Sequence, residues 1–133
     1  MNDNNILKSI FAMICTFFTY LFGGWDTALI ALVVFMVLDF LSGWIAAIIN
    51  NKLDSHVGFK GILKKSLILS VLIIAVLLDR LLNNDTWVFR TLVCYFYIAN
   101  EGLSILENAG KCGIKLPHKL LKSLQQLQEK KFE

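Results

Sequence analysis

TALIALVVFMVLDFLSGWIAAII, residues 27–49, decides what kind of chain this is. Asp39 is its only charge. A helix rises about 1.5 Å per residue, and roughly 20 apolar residues cross the ~30 Å hydrocarbon of a bilayer. The stretch therefore reads as a membrane span. Three further apolar runs flank it, at residues 6–22, 66–82 and 86–106. The first is short and Lys8 must snorkel from its start; the last is the most polar, with Arg90 and Glu101 inside it.

Composition agrees. The 133 residues suffice for one domain and are 56% hydrophobic, 17% charged, with a single proline and a mean hydropathy of +0.63. A soluble domain needs roughly a quarter of its residues charged to cover its surface. The chain reads as an all-α membrane protein, one membrane domain over residues 1–133. MNDNN at the start lacks a basic n-region and no small-residue cleavage site follows, so the first run is expected to stay in the mature protein.

The connections orient the spans. GGWD (23–26) and NNDT (83–86) each carry one Asp and no Lys or Arg. The connection 50–65 carries Lys52, Lys60, Lys64 and Lys65 against Asp54. After Asn108 come Lys111, Lys115, Lys119, Lys122, Lys130 and Lys131 against Glu129 and Glu133. The positive-inside rule places the 50–65 connection and the tail 109–133 in the cytoplasm and both tight turns outside. Four transmembrane helices in two hairpins, with both termini cytoplasmic, satisfy every connection. In the tail, Pro117 precedes Leu120, Leu121, Leu124 and Leu127 at helical spacing, with Lys119, Lys122, Lys130 and Lys131 on the polar side. This predicts a short amphipathic C-terminal helix, on the anionic inner leaflet or paired with a neighbouring copy.

Charges inside spans need partners. Depth suggests an Asp79–Arg90 pair across the second hairpin, Arg80 reaching the outer interface alone, and Tyr97 or Asn100 donating to Asp39. Glu101 has no assured cation, because Lys64 and Lys65 are expected to sit too shallow. Arg90, Cys94, Tyr97, Glu101, Ser104 and Asn108 share one helical face. Ala28, Ala31, Phe35, Asp39, Ser42, Ala46 and Asn50 share another, and Ser9, Ala12, Thr16, Thr19 and Gly23 a third. Such stripes either hold one bundle together or face other copies or water.

Other chemistry is missing. Cys15, Cys94 and Cys112 are far apart and His56 and His118 isolated, so no metal site or cofactor is expected. No nucleophile–base set or phosphate loop is present, so no enzymatic activity is expected. The basic residues flank spans, which argues against nucleic acid. Gly58-Phe59-Lys60-Gly61 reads as a turn in a basic segment whose Lys60, Lys64 and Lys65 face an anionic lipid surface.

LDSHVGFKGILKK (53–65) and NEGLSILENAGKCGIKLPHKLLKSLQQL (100–127) resemble the toxin-secretion/phage-lysis holin family of Gram-positive bacteria and their phages. The first carries a GFKG-like element and paired lysines. The second carries an NE-x-x-SI-x-EN-like element, then Gly113, Pro117 and leucines; Asp39, Ser42 and Gly43 fit as well. The likeness covers roughly residues 25 to 128. It implies a homo-oligomer in the bacterial cytoplasmic membrane that opens holes releasing an endolysin or a toxin. Asp39, Asp79, Arg90, Tyr97, Asn100, Glu101 and Ser104 would then serve assembly or line a lumen. The competing reading is a small ion or solute transporter or channel subunit, with Asp39 and Glu101 as the binding groups. The two similar halves common in transporters are not evident.

Overall fold

The computed structural model describes residues 2–83 and 85–129, with side chains to residue 126. It is all-helical over those residues. Its elements are α1 (Asp3–Phe22), α2 (Thr27–Ile49), α3 (Ser55–Leu81), α4 (Val88–Lys111) and α5 (His118–Glu129). Asn84 of the expected NNDT turn, the Leu127 side chain, and Lys130 and Lys131 lie outside the described residues or side chains.

Each boundary has a local cause. Gly23 closes α1 at φ +77°, and the N–H groups of Gly23 and Gly24 bond Tyr20 and Thr19 carbonyls. Asp26 caps α2, accepting from the Leu29 N–H at 3.0 Å. Asp54 does the same for α3 through the His56 N–H at 2.8 Å. The cap at Asp54 starts α3 well before the expected residue 66. Gly58-Phe59-Lys60-Gly61 is therefore helix rather than turn. Its glycines face α2: a Cβ on Gly58 would stand 3.3 Å from Trp44 and crowd the helices, whereas one on Gly61 would meet Phe40 at 3.9 Å, an ordinary contact. α4 lacks a cap of its own, since Trp87 at its N-cap position makes no capping bond. Asp79 of α3 supplies it, accepting from the Phe89 and Arg90 N–H groups at 3.0 and 2.8 Å.

α4 is the hub, packed against α2, α3 and α5. The core is Phe22, Leu29, Leu32, Met36, Leu72, Cys94 and Ile98. Most other large apolar residues face outward, Met13 at 73% exposure among them. Such a surface belongs against lipid. α1, α2 and α3 are long and apolar enough to cross a membrane. α4 has the length but is diluted by Arg90, Asn100 and Glu101. α1 is hardly packed: residues 2–18 are all exposed and only Phe22 is buried.

α5 turns back along α4. Leu116 lies 3.7 Å from where a Cβ on Gly110 would sit, and Leu124 lies 3.1 Å from the same point on Gly102. Eight positions forward on one strand of chain match eight backward on the other, so the two run antiparallel. The Pro117 carbonyl opens α5 by accepting from the Leu120 and Leu121 N–H groups.

Candidate functional site

Polar side chains gather at both ends of the bundle. At the end bearing the two tight turns, Arg90 is 4% exposed and spends its guanidinium on the α1–α2 turn. Nη1 and Nη2 donate to Asp26 Oδ2 and Oδ1 at 2.7 and 3.0 Å, a two-pronged pairing. Nε donates to the Phe22 carbonyl at 2.7 Å and Nη2 to the Gly24 carbonyl at 2.9 Å. The Arg90 guanidinium holds the Asp26 carboxyl below its ordinary value. The expected Asp79–Arg90 ion pair is corrected here. Asp79 is 1% exposed and meets Arg90 through the main-chain N–H, because it caps α4. Arg80 is not alone either: its Nη2 donates to the Tyr20 carbonyl and its guanidinium stacks 3.8 Å above the Tyr20 ring.

About 20 Å away along α2 lies the second cluster. Lys65 of α3 stands between two carboxylates, 2.7 Å from Asp39 Oδ2 and paired also with Glu101 Oε2. The three side chains are at most 16% exposed. Asn108 Nδ2 donates to Asp39 Oδ1 at 3.2 Å and to Ser42 Oγ at 2.9 Å, and Ser42 Oγ donates to the Asp39 carbonyl. Lys65 was expected to be too shallow for Glu101. It reaches because α3 starts early and presents Lys65 on its inner face, whereas Lys64 next to it is exposed. Asp39 likewise takes Lys65 and Asn108, where Tyr97 or Asn100 was expected. Tyr97 instead packs against the core and sets its ring edge-on to Phe96, centroids 5.1 Å apart.

A cavity of about 490 Å³ opens beside this cluster, lined by Asp39, Lys65, Glu101, Ser104 and Asn108 and, at its mouth, by Lys52, Lys64 and Lys111. Lys60 is exposed on α3 and does not line it. Among the described residues no group of His, Cys, Asp or Glu could hold a metal ion. The place between the two carboxylates is taken by an ammonium. Asn100 is half-buried on α4 and does not line the cavity.

The stripes on α2 and α4 thus face each other inside one chain. The stripe on α1 does not, since Ser9, Ala12 and Thr16 are exposed. Sequence reasoning missed Asp26 as the partner of Arg90, having placed Asp26 in the outer turn and matched Arg90 by depth to Asp79. It also missed Lys65 as the shared cation, for which helical phase relative to Lys64 was the available signal.

The model for the bacteriophage holin family matches residues 16–129. An uncharacterized 14.9 kDa protein of Clostridium perfringens is 52% identical over 130 residues, 98% of each chain. The uncharacterized protein YqxH of Bacillus subtilis is 40% identical, with 84% of this chain and 79% of that one covered. A probable holin of Bacillus phage phi105 is 37% identical over 87 residues, covering 65% of this chain and 63% of its own. No solved structure matches. With a family match across most of its length, and apolar helices joined by buried ion pairs, the chain belongs to the bacteriophage holin family.

Proposed function

We propose that the chain is a holin that crosses the bacterial cytoplasmic membrane four times, both termini cytoplasmic, and assembles with copies of itself into holes that release an endolysin or a toxin. The family match over residues 16–129 carries this reading. Geometry supports the fourth span. The two charges of α4 that fall within the expected span 86–106, Arg90 and Glu101, are both paired, which removes the main penalty against placing α4 in lipid. Lys52 of the 50–54 connection, Lys60 and Lys64 near the start of α3 and the lysines of the tail fall at one end and the turns at the other, as the positive-inside rule asks. The Ser9–Ala12–Thr16 face of α1 supports assembly, because small residues left uncovered let helices of separate copies approach closely. Lysines at the cytoplasmic end, Lys60 and Lys64 among them, suit an anionic leaflet.

The transporter reading loses ground to Lys65. A cation or proton site at Asp39 and Glu101 would have to displace a lysine held by both. The experiment is expression in a bacterium together with a muralytic enzyme that lacks its own export signal. A holin gives abrupt growth arrest and cell lysis; continued growth with the enzyme retained, at verified membrane levels of the protein, sinks the proposal.

A further inference from the structure

α5 is the one polar helix of the fold, and it is packed where a polar helix is out of place. Its register on α4 sets Leu124 at Gly102, whose neighbour Glu101 belongs to the cluster about 16 Å along α4 from Arg90. Phe35 of α2 closes the same contact, 3.2 Å from the Gly102 Cβ position. With Arg90 at the outer edge of ~30 Å of hydrocarbon, Leu124 lies roughly 10 Å inside the inner edge. Leu116, Leu121 and Leu124 are half-buried, whereas Lys119, Lys122, Gln125 and Gln126 are exposed. The two lysines have stems long enough to snorkel to the headgroups. The two glutamines do not, and the same register sets them level with Glu101 and Asn100. A lone chain docked this way would point their amides at lipid tails, where nothing can bond them.

We propose that docked α5 supplies the water-facing wall of the hole's cytoplasmic half, with Gln125 and Gln126 at its deepest point and Gly102 as its seat. In a chain outside a hole, α5 lies on the inner leaflet, its leucines in the headgroup boundary and Lys119 and Lys122 toward anionic lipid. Docking exchanges that site for α4, and it becomes favourable when neighbouring copies bring water to the opposite face of α5. Gly102 is needed at the seat because a Cβ there would stand 3.1–3.2 Å from both Leu124 and Phe35. This rests on the hole-forming reading above.

The full chain, with Cys15, Cys94 and Cys112 replaced, is reconstituted into phosphatidylglycerol-containing vesicles loaded with a small dye. One label goes at Gln125→Cys and a second at Trp25→Cys in the outer turn. In leaking vesicles the label-to-label distance should be about 20 Å, against more than about 30 Å for a helix on the far surface. Iodide in the water should quench a fluorophore at residue 125 severalfold better than a chain-centred lipid quencher, the reverse holding at Ile14→Cys on α1. Gly102→Val should slow dye release about tenfold with insertion unchanged, and Leu124→Ala in the same chain should restore it to within about twofold. Leakage with the long distance, with lipid quenching dominant at residue 125, or with Gly102→Val at the wild-type rate overturns the role of α5 and leaves the holin reading standing. Vesicles that never leak at any protein density overturn the hole-forming reading itself, and this proposal with it.

Discussion

Lys65 carries a disproportionate share of the lysine-rich end, since one ammonium serves two carboxylates from two other helices. Removing a buried partner leaves uncompensated charge and costs on the order of 3–5 kcal/mol. Lys65→Met should therefore lower the unfolding midpoint in mild detergent sharply, and adding Asp39→Asn and Glu101→Gln should recover most of the loss. Glu101→Leu is different, because it leaves a one-to-one Lys65–Asp39 pair. It should insert and fold as wild type yet delay lysis at matched membrane levels; unchanged lysis timing would show Glu101 to be a passenger. At the other end Asp26 binds Arg90 and titrates below its ordinary 3.8. A carboxyl with a depressed folded value contributes above its unfolded value and loses that contribution as pH falls through the folded one. Asp26→Asn should lower the unfolding midpoint by a constant amount near neutrality, and its difference from the wild type should shrink as pH falls below about 3.8. The Asp26 side chain is 54% exposed, so salt should screen the pair and narrow the difference.

Elements were legible in unequal measure. The helices α2 and α1 followed from apolar length alone, and Pro117 marked the start of α5. The start of α3 did not, because Gly58 and Gly61 carry two meanings. In isolation they signal a turn; against Trp44 and Phe40 they signal close helix contact, and only tertiary packing chooses. Gly23 has one meaning, for its φ of +77° and the Arg90 Nε 2.9 Å from its Cβ position both exclude a side chain. Gly23→Ala should destabilise by about 1–3 kcal/mol, read as a lowered unfolding midpoint, while Gly24→Ala, with open space around it, should lose only the backbone part. The polar stripes could be seen on each helix, but which stripes faced one another depended on rotations that spacing does not encode.

At the scale of the whole molecule the charges segregate lengthwise, with lysines at one end and the GGWD and Asp85 turns at the other. Impermeant thiol reagents on intact cells should reach single cysteines at Trp25 or Asp85 and miss one at Lys52 until the membrane is permeabilised. Labelling of Lys52→Cys from outside would reverse the proposed orientation. How the lysines and carboxylates pair was the part composition could not reveal, since six lysines lie between residues 52 and 115 and only Lys65 is turned inward by its place on α3.

Among the described residues α1 is fastened near its last turn, where Phe22 is buried, the Tyr20 carbonyl and ring hold Arg80, and the Phe22 carbonyl holds Arg90. A rod held at one end is a lever. Its 20 residues give an arm of about 30 Å, so a swing of about 20° moves the free tip about 10 Å without breaking any of those fastenings. Copies that touch through such arms can meet at many angles. Rings closed this way would have no fixed circumference, and their diameters should form a broad distribution in electron micrographs.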